Sequence, residues 1–183
     1  MIKFAITNIH KSIDMILENE YASYFEQYIK LVPVKEKSII NYLKDSQKEF
    51  EIILRTLPKE KGNYAYAEGK WTLKELIQHI IDTERIFCYR ALCFARNDKT
   101  ELPGFDQDIF VNNDNANDRA YFDLLDEMNT LRKSTIQLYN SFSDEALLRI
   151  GVASGNEISV RALGYLFSGH QIHHLNVVKE RYL

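Results

Sequence analysis

Cysteine, proline and glycine are all scarce in this chain, and each scarcity removes a class of protein. The two cysteines, Cys88 and Cys93, are spaced for neither a CxxC redox pair nor a zinc clip. A disulfide scaffold is therefore excluded, and both thiols read as small core residues. Three prolines and seven glycines are too few for a collagenous or low-complexity chain. Positive charge is not in surplus either: 23 Lys and Arg stand against 26 Asp and Glu, a net charge of −3. A nucleic-acid partner is not expected, because phosphate neutralisation needs a cationic footprint. No apolar run approaches the roughly 18–20 residues needed to span a bilayer, so no membrane partner is expected. Polar residues interrupt Met1 to Leu17 throughout, which is unlike a signal peptide. The expected compartment is the cytoplasm.

What the chain does have is helical periodicity. Its 183 residues suit a single domain, read as a four-helix core at 34–183 with an N-terminal extension, 1–33, packed on it. The first core helix is expected from Val34 to Leu57, with Ile39, Tyr42, Leu43, Phe50, Ile53 and Leu54 facing inwards. The second has the strongest start signal. Thr72 and Glu75 form a capping box, flanked by Trp71 and Leu76 as a hydrophobic staple, and the helix should reach Asn97. An Asp/Asn-rich connection from Asp98 to Asp118 is long enough to cross the bundle lengthwise. The third helix is expected over Arg119 to Phe142, with Leu124, Leu125, Met128, Leu131, Ile136 and Leu138 as its apolar surface. Ser143 caps a short turn or helix through Ile150. The fourth helix opens at Ser159 and runs to the C-terminus. Tyr21, Tyr24, Phe25 and Tyr28 suggest a preceding helical segment. Strand-like alternation is absent, so the fold reads as all-α.

Five histidines occur, and three of them fall between Gly169 and Leu175. At 100° per residue, Leu163, Phe167, His170, His174 and Val178 form one stripe of the fourth helix. His170 and His174 are i and i+4, so both imidazoles can reach one ion. His173 points towards the edge and is left out. Two adjacent core imidazoles are costly unless something lies between them, since protonation is disfavoured there and each ring has two nitrogens to satisfy. A third ligand must come from another helix. His79, at the margin of the stripe containing Leu76, Thr83 and Ile86, is the candidate, and His10 is its only rival. Three neutral imidazoles leave a fourth position open, the pattern of a catalytic zinc-type centre. Imidazole also accepts nickel, cobalt or iron.

Several segments together resemble the DinB-like superfamily. The first is Gly69-Lys70-Trp71-Thr72, followed by His79, Asp82, Thr83, Glu84 and Arg85, then Tyr89-Arg90-Ala91. The others are Leu102-Pro103-Gly104-Phe105-Asp106, Leu131-Arg132, and Gly169-His170-Gln171-Ile172-His173-His174. The resemblance runs from about Tyr24 to the last residue. It implies a DinB/YfiT-like four-helix bundle, often a homodimer, binding a divalent metal ion such as zinc or nickel through His79, His170 and His174. It also implies one of two activities. One is transfer of a low-molecular-weight thiol of the bacillithiol type to an electrophile, and the other is metal-dependent hydrolysis. A non-catalytic, stress-associated metal-binding module is the reading from a different class.

Other chemistry-bearing residues read as structural. Glu84 lies on the inner stripe with Ile77, Ile80, Phe87 and Ala91, and Arg132 lies inwards on the third helix. A buried Glu84–Arg132 pair, or a carboxylate supporting a ligand imidazole, outranks a general base. Asp82 should face solvent, as should Asp106 and Asp108, which lack EF-hand spacing. Tyr64 and Tyr66 could line a pocket mouth. Phosphate-binding glycine loops and nucleophile elbows are missing.

Overall fold

A computed structural model of the chain describes residues 16–33 and 37–183. His10 and the expected helix start at Val34 lie outside the described residues.

Four long helices carry the fold: α2 (Ile39–Arg55), α3 (Leu73–Ala95), α5 (Tyr121–Asn140) and α7 (Val160–Arg181). Three of the four begin where a side chain can take up an orphan backbone N–H. Ser38 accepts from Asn41 at α2, Thr72 and Glu75 cap each other's backbone at α3, and Ser159 accepts from Ala162 at α7. A short helix, α1 (Glu26–Ile29), precedes them, and between them lie two more, α4 (Gln107–Val111) and α6 (Asp144–Leu147), with strands β1 (Ile150–Ala153) and β2 (Asn156–Ser159).

Helix α2 packs along α5 and α7, and α3 packs along the same two, so α2 and α3 occupy one diagonal of the bundle. Side-chain pairs fix the directions. Glu84 meets Arg132 and Cys88 meets Thr135, so α3 and α5 run the same way. Phe87 meets Phe167, and His79 meets His170 and His174, so α3 and α7 run oppositely. The connection between α3 and α5 therefore traverses the bundle lengthwise, as its length suggested.

That connection carries α4, whose N-cap Asp106 accepts from the N–H groups of Asp108 and Ile109. Asp106 is thus exposed, as expected, and also serves as a cap. The short helix capped by Ser143 is present as expected, and the departure from expectation is the antiparallel hairpin β1–β2 that follows it, where no strand was anticipated. Ser154 and Gly155, at φ 55° and 72°, form its two-residue turn with both central residues left-handed, the geometry that suits strand twist. Four-residue strands are too short to display alternation. The hairpin ties distant segments together: the Leu102 N–H donates to the Val152 carbonyl, and the Ala22 N–H donates to the Glu157 carbonyl.

Two apolar clusters fill the bundle, one around Leu43, Phe94 and Phe167, the other around Phe50, Ile77, Met128 and Val178. Between them every long helix contributes polar side chains: Ser46 and Gln47, Thr83 and Glu84, Arg132 and Thr135, His170 and Gln171. This layer explains why Leu131, Ile136 and Leu138 are only half-buried while Arg132, Thr135 and Tyr139 take the inner positions. No helix among the described residues is long and apolar enough to cross a membrane.

Candidate metal centre

The polar layer ends in three imidazoles. His79 stands two turns into α3, held by the capping box at Thr72, and the indole of Trp71 lies 4.9 Å from its ring. His170 and His174 stand one turn apart on α7, with ring centroids 4.5 Å apart. His170 Nε2 lies 3.2 Å from His79 Nε2 and 3.1 Å from His174 Nε2. One ring nitrogen carries either one proton or one lone pair, so it cannot be a good partner to two donors and acceptors at once. A cation about 2.0–2.1 Å from each nitrogen would set tetrahedral donors roughly 3.3–3.4 Å apart and right-angle donors roughly 2.8–3.0 Å apart. The observed spacings fall between these values. The donor set is therefore one that could hold a divalent ion, and all three donor atoms lie within 4.8 Å of one another.

Electrostatics point the same way. Burial lowers the His79 pKa to about 4, with His173 contributing. Burial likewise drives His170 and His174 well below the ordinary imidazole range, and the neighbouring imidazoles add to it. All three rings are neutral near pH 7, with lone pairs available for coordination.

The other sequence candidates separate cleanly. His173 is outside the cluster, with its ring 5.3 Å from Tyr28. Glu84 is committed elsewhere: it accepts from Arg132 at 2.7 Å and from Thr135 at 2.7 Å. Arg132 also donates to the Leu43 carbonyl, Ser46 and Gln171, so this pair joins all four long helices. Asp82 is half-buried rather than solvated. Burial raises its pKa, although Gln78 donates to it at 2.9 Å and Arg85 lies nearby. Cys88 is partly buried beside Thr135, and burial pushes its thiol up to about 11, which leaves no thiolate near neutral pH.

Two cavities reach the imidazoles. One, of about 270 Å³, opens on His79 and His170 and is walled by Tyr28, Phe87, Arg90 and Gln107. The other, of about 360 Å³, opens on His174 and is walled by Tyr66, Trp71, Asp108 and Tyr182. Tyr66 thus lines a pocket as expected, whereas Tyr64 packs 6.1 Å from Tyr182. Arg90, Thr83 and Gln107 were not singled out by sequence reasoning as pocket residues. A signal existed for two of them, since Thr83 and Arg90 lie four and eleven residues beyond His79, on the same side of one helix.

A four-helix bundle with this crossover, and three imidazoles meeting between α3 and α7, defines the class. The chain belongs to the DinB superfamily, whose family model matches residues 42–178. Among solved structures it is similar to YfiT from Bacillus subtilis, described as "a probable metal-dependent hydrolase with an unusual four-helix bundle topology". That likeness has a TM-score of 0.69 at 15% identity and covers 91% of each chain. It is also similar to the DinB-like protein YjoA of the same organism, with a TM-score of 0.56 at 19% identity over 79% of this chain and 88% of that one. No curated protein matches the chain.

Proposed function

We propose that His79, His170 and His174 bind one divalent metal ion, zinc or nickel, and that the protein is a metal-dependent enzyme transferring a low-molecular-weight thiol to an electrophile. The convergence of three neutral imidazole nitrogens on one point carries this reading. When bound, such an ion supplies Lewis-acid chemistry, lowering the pKa of a thiol or water that reaches it. The chain supplies the rest. Burial keeps the imidazoles unprotonated, Trp71 and Tyr28 wall the approach, and the two cavities leave access for two reactants. In the transfer, the thiol sulfur forms a bond to the electrophilic carbon. The leaving group departs with its bonding pair, and the thiol proton passes to solvent.

Glu84 supports thiol transfer over hydrolysis, because the buried carboxylate nearest in sequence to the site is locked to Arg132 and cannot serve as general base. The hydrolase reading keeps one supporting observation, Asp108 on the wall of the His174 cavity, along with the description given to YfiT. The open cavities weigh against a purely structural ion with a closed fourth position.

The test is to strip the protein, titrate zinc and nickel, and assay each form with a thiol plus a chloroarene or epoxide against ester and amide panels. Metal-dependent thiol conjugation is expected. Metal-dependent ester or amide cleavage alone would transfer the site to the hydrolase reading, and no metal binding would end both.

A further inference from the structure

Arg90 is a buried cation that has no counter-ion among the described residues. Its side chain is 4% exposed, and its Nη2 donates to the Pro103 carbonyl and to Ser154 Oγ, both at 2.9 Å and both uncharged. No carboxylate among the described residues is bonded to it. A guanidinium stays ionised in any protein environment, and buried charges are ordinarily paired. The two bonds to Nη2 hold the group in place, with the Phe87 ring 5.9 Å away, but leave Nη1 and Nε with no hydrogen-bond partner among the described residues.

Arg90 lines the cavity of about 270 Å³ that also opens on His79 and His170. A second unsatisfied group lines the same cavity. Thr83 is 2% exposed, and its buried hydroxyl makes no hydrogen bond, although a helical threonine can usually bond back to its own turn. The remaining walls are largely aromatic, with Phe25, Tyr28, Phe87 and Phe105 among them. Cationic and hydroxyl donors left open in a chamber that mixes aromatic walls with a few polar groups are the pattern of a site completed by its ligand.

We infer that this cavity is the substrate subsite and that it takes a small organic monocarboxylate with an apolar or aromatic body, its carboxylate received by Arg90 with Thr83 along the way. One guanidinium balances one negative charge, which favours a carboxylate over a doubly charged phosphate ester. His79 and Arg90 lie at opposite ends of one stripe of α3, their Cα atoms about 16 Å apart along the axis, and His170 of α7 opens on the same cavity. The substrate is therefore held by its acid end while its reactive end faces the imidazoles. The assignment deepens the metalloenzyme reading but rests on it only for what happens at that reactive end.

The test titrates 3-phenylpropanoate and its uncharged amide into zinc-loaded and metal-free protein by calorimetry. The metal-free arm removes any direct bond between the acid and the ion. The acid should bind at least about tenfold more tightly than the amide in both forms, the size of a charge-assisted hydrogen bond. Arg90→Gln should erase that preference, and Thr83→Val, which keeps the side chain's shape, should weaken the acid several-fold. If Arg90→Gln does not fold, the acid–amide comparison and Thr83→Val still decide the matter. Equal binding of acid and amide to the unaltered protein would overturn the inference, as would a preference that survives Arg90→Gln. Tighter binding of phenyl phosphate than of the acid would overturn the carboxylate assignment. An acid preference that persists in a protein unable to bind zinc would sink the metal reading and leave this one standing.

Discussion

The carboxylate of Glu84 and the guanidinium of Arg132 meet at 2.7 Å with side chains 3% and 1% exposed, a salt bridge sealed inside the bundle. Its strength lies in being complete: Thr135, Ser46, Gln171 and the Leu43 carbonyl satisfy what the two charges leave over. Removing one partner strands the other. Glu84→Gln should therefore cost about 3–5 kcal/mol of stability, read by urea denaturation, while the zinc stoichiometry of the folded fraction stays at its original value. A loss of metal with stability intact would return Glu84 to the metal site.

The imidazole trio makes a selective prediction. His170→Ala removes the nitrogen that both others approach, and should weaken zinc binding by at least about 100-fold, since a catalytic-type site has only three protein donors to begin with. His173→Ala, one residue from His174 on a different side of the helix, should leave affinity within a few-fold. Competition with a chromogenic chelator distinguishes them. Equal losses for the two variants would mean that the trio is wrongly chosen.

Acid should loosen the N-terminal segment first. Glu20 is buried, which alone would raise its pKa. Arg161, the Leu17 N–H and Ser159 outweigh that and hold the carboxyl below its ordinary value. A depressed carboxyl contributes stability above its unfolded pKa and loses it as pH falls through the folded one. The contribution should therefore be full at pH 6–7 and fade below about pH 4. Glu20→Gln should flatten that part of the stability–pH curve and cost roughly 2–4 kcal/mol at pH 7.

Gly169 sets how closely the N-terminal segment approaches the site. A Cβ there would lie 2.1 Å from the Tyr28 carbonyl oxygen, and that backbone must retreat to admit it. Since the Tyr28 ring stands 5.5 Å from His170, Gly169→Ala should push a wall of the smaller cavity outwards. A cost of about 1–3 kcal/mol is expected, with faster hydrogen exchange over 23–30 and helical content unchanged. Exchange identical to that of the parent protein would argue against the contact.

Much of this architecture could be read before any coordinates. Thr72 with Glu75 and Ser159 announce their helices because capping is a local transaction between a side chain and a backbone three residues on. The i, i+4 spacing of His170 and His174 is equally local, and it led to His79. Other features depend on contacts that no local pattern carries. The hairpin at Ile150–Ser159 is too short to alternate, and its turn uses a serine at a left-handed position where glycine or asparagine would have given warning. Helix α7 is buried on every side from Val160 to Gln171, so over that stretch no amphipathic face marks where its histidines point. Nothing local in the sequence signals that Arg90 is buried. It is buried only because the distant Pro103 and Ser154 close over it.

Helices α3 and α5 point the same way, so the chain between Arg96 and Ala120 has to return the full length of α3 before it can start again. A stretched strand of roughly ten residues would cover that distance, and this segment is more than twice as long. The surplus is where Phe105, Gln107 and Asp108 come from, the residues that shape the two approaches to the histidines. A bundle wired in this way can exchange its clientele by rewriting slack in one connector, with its load-carrying helices and their imidazoles left untouched.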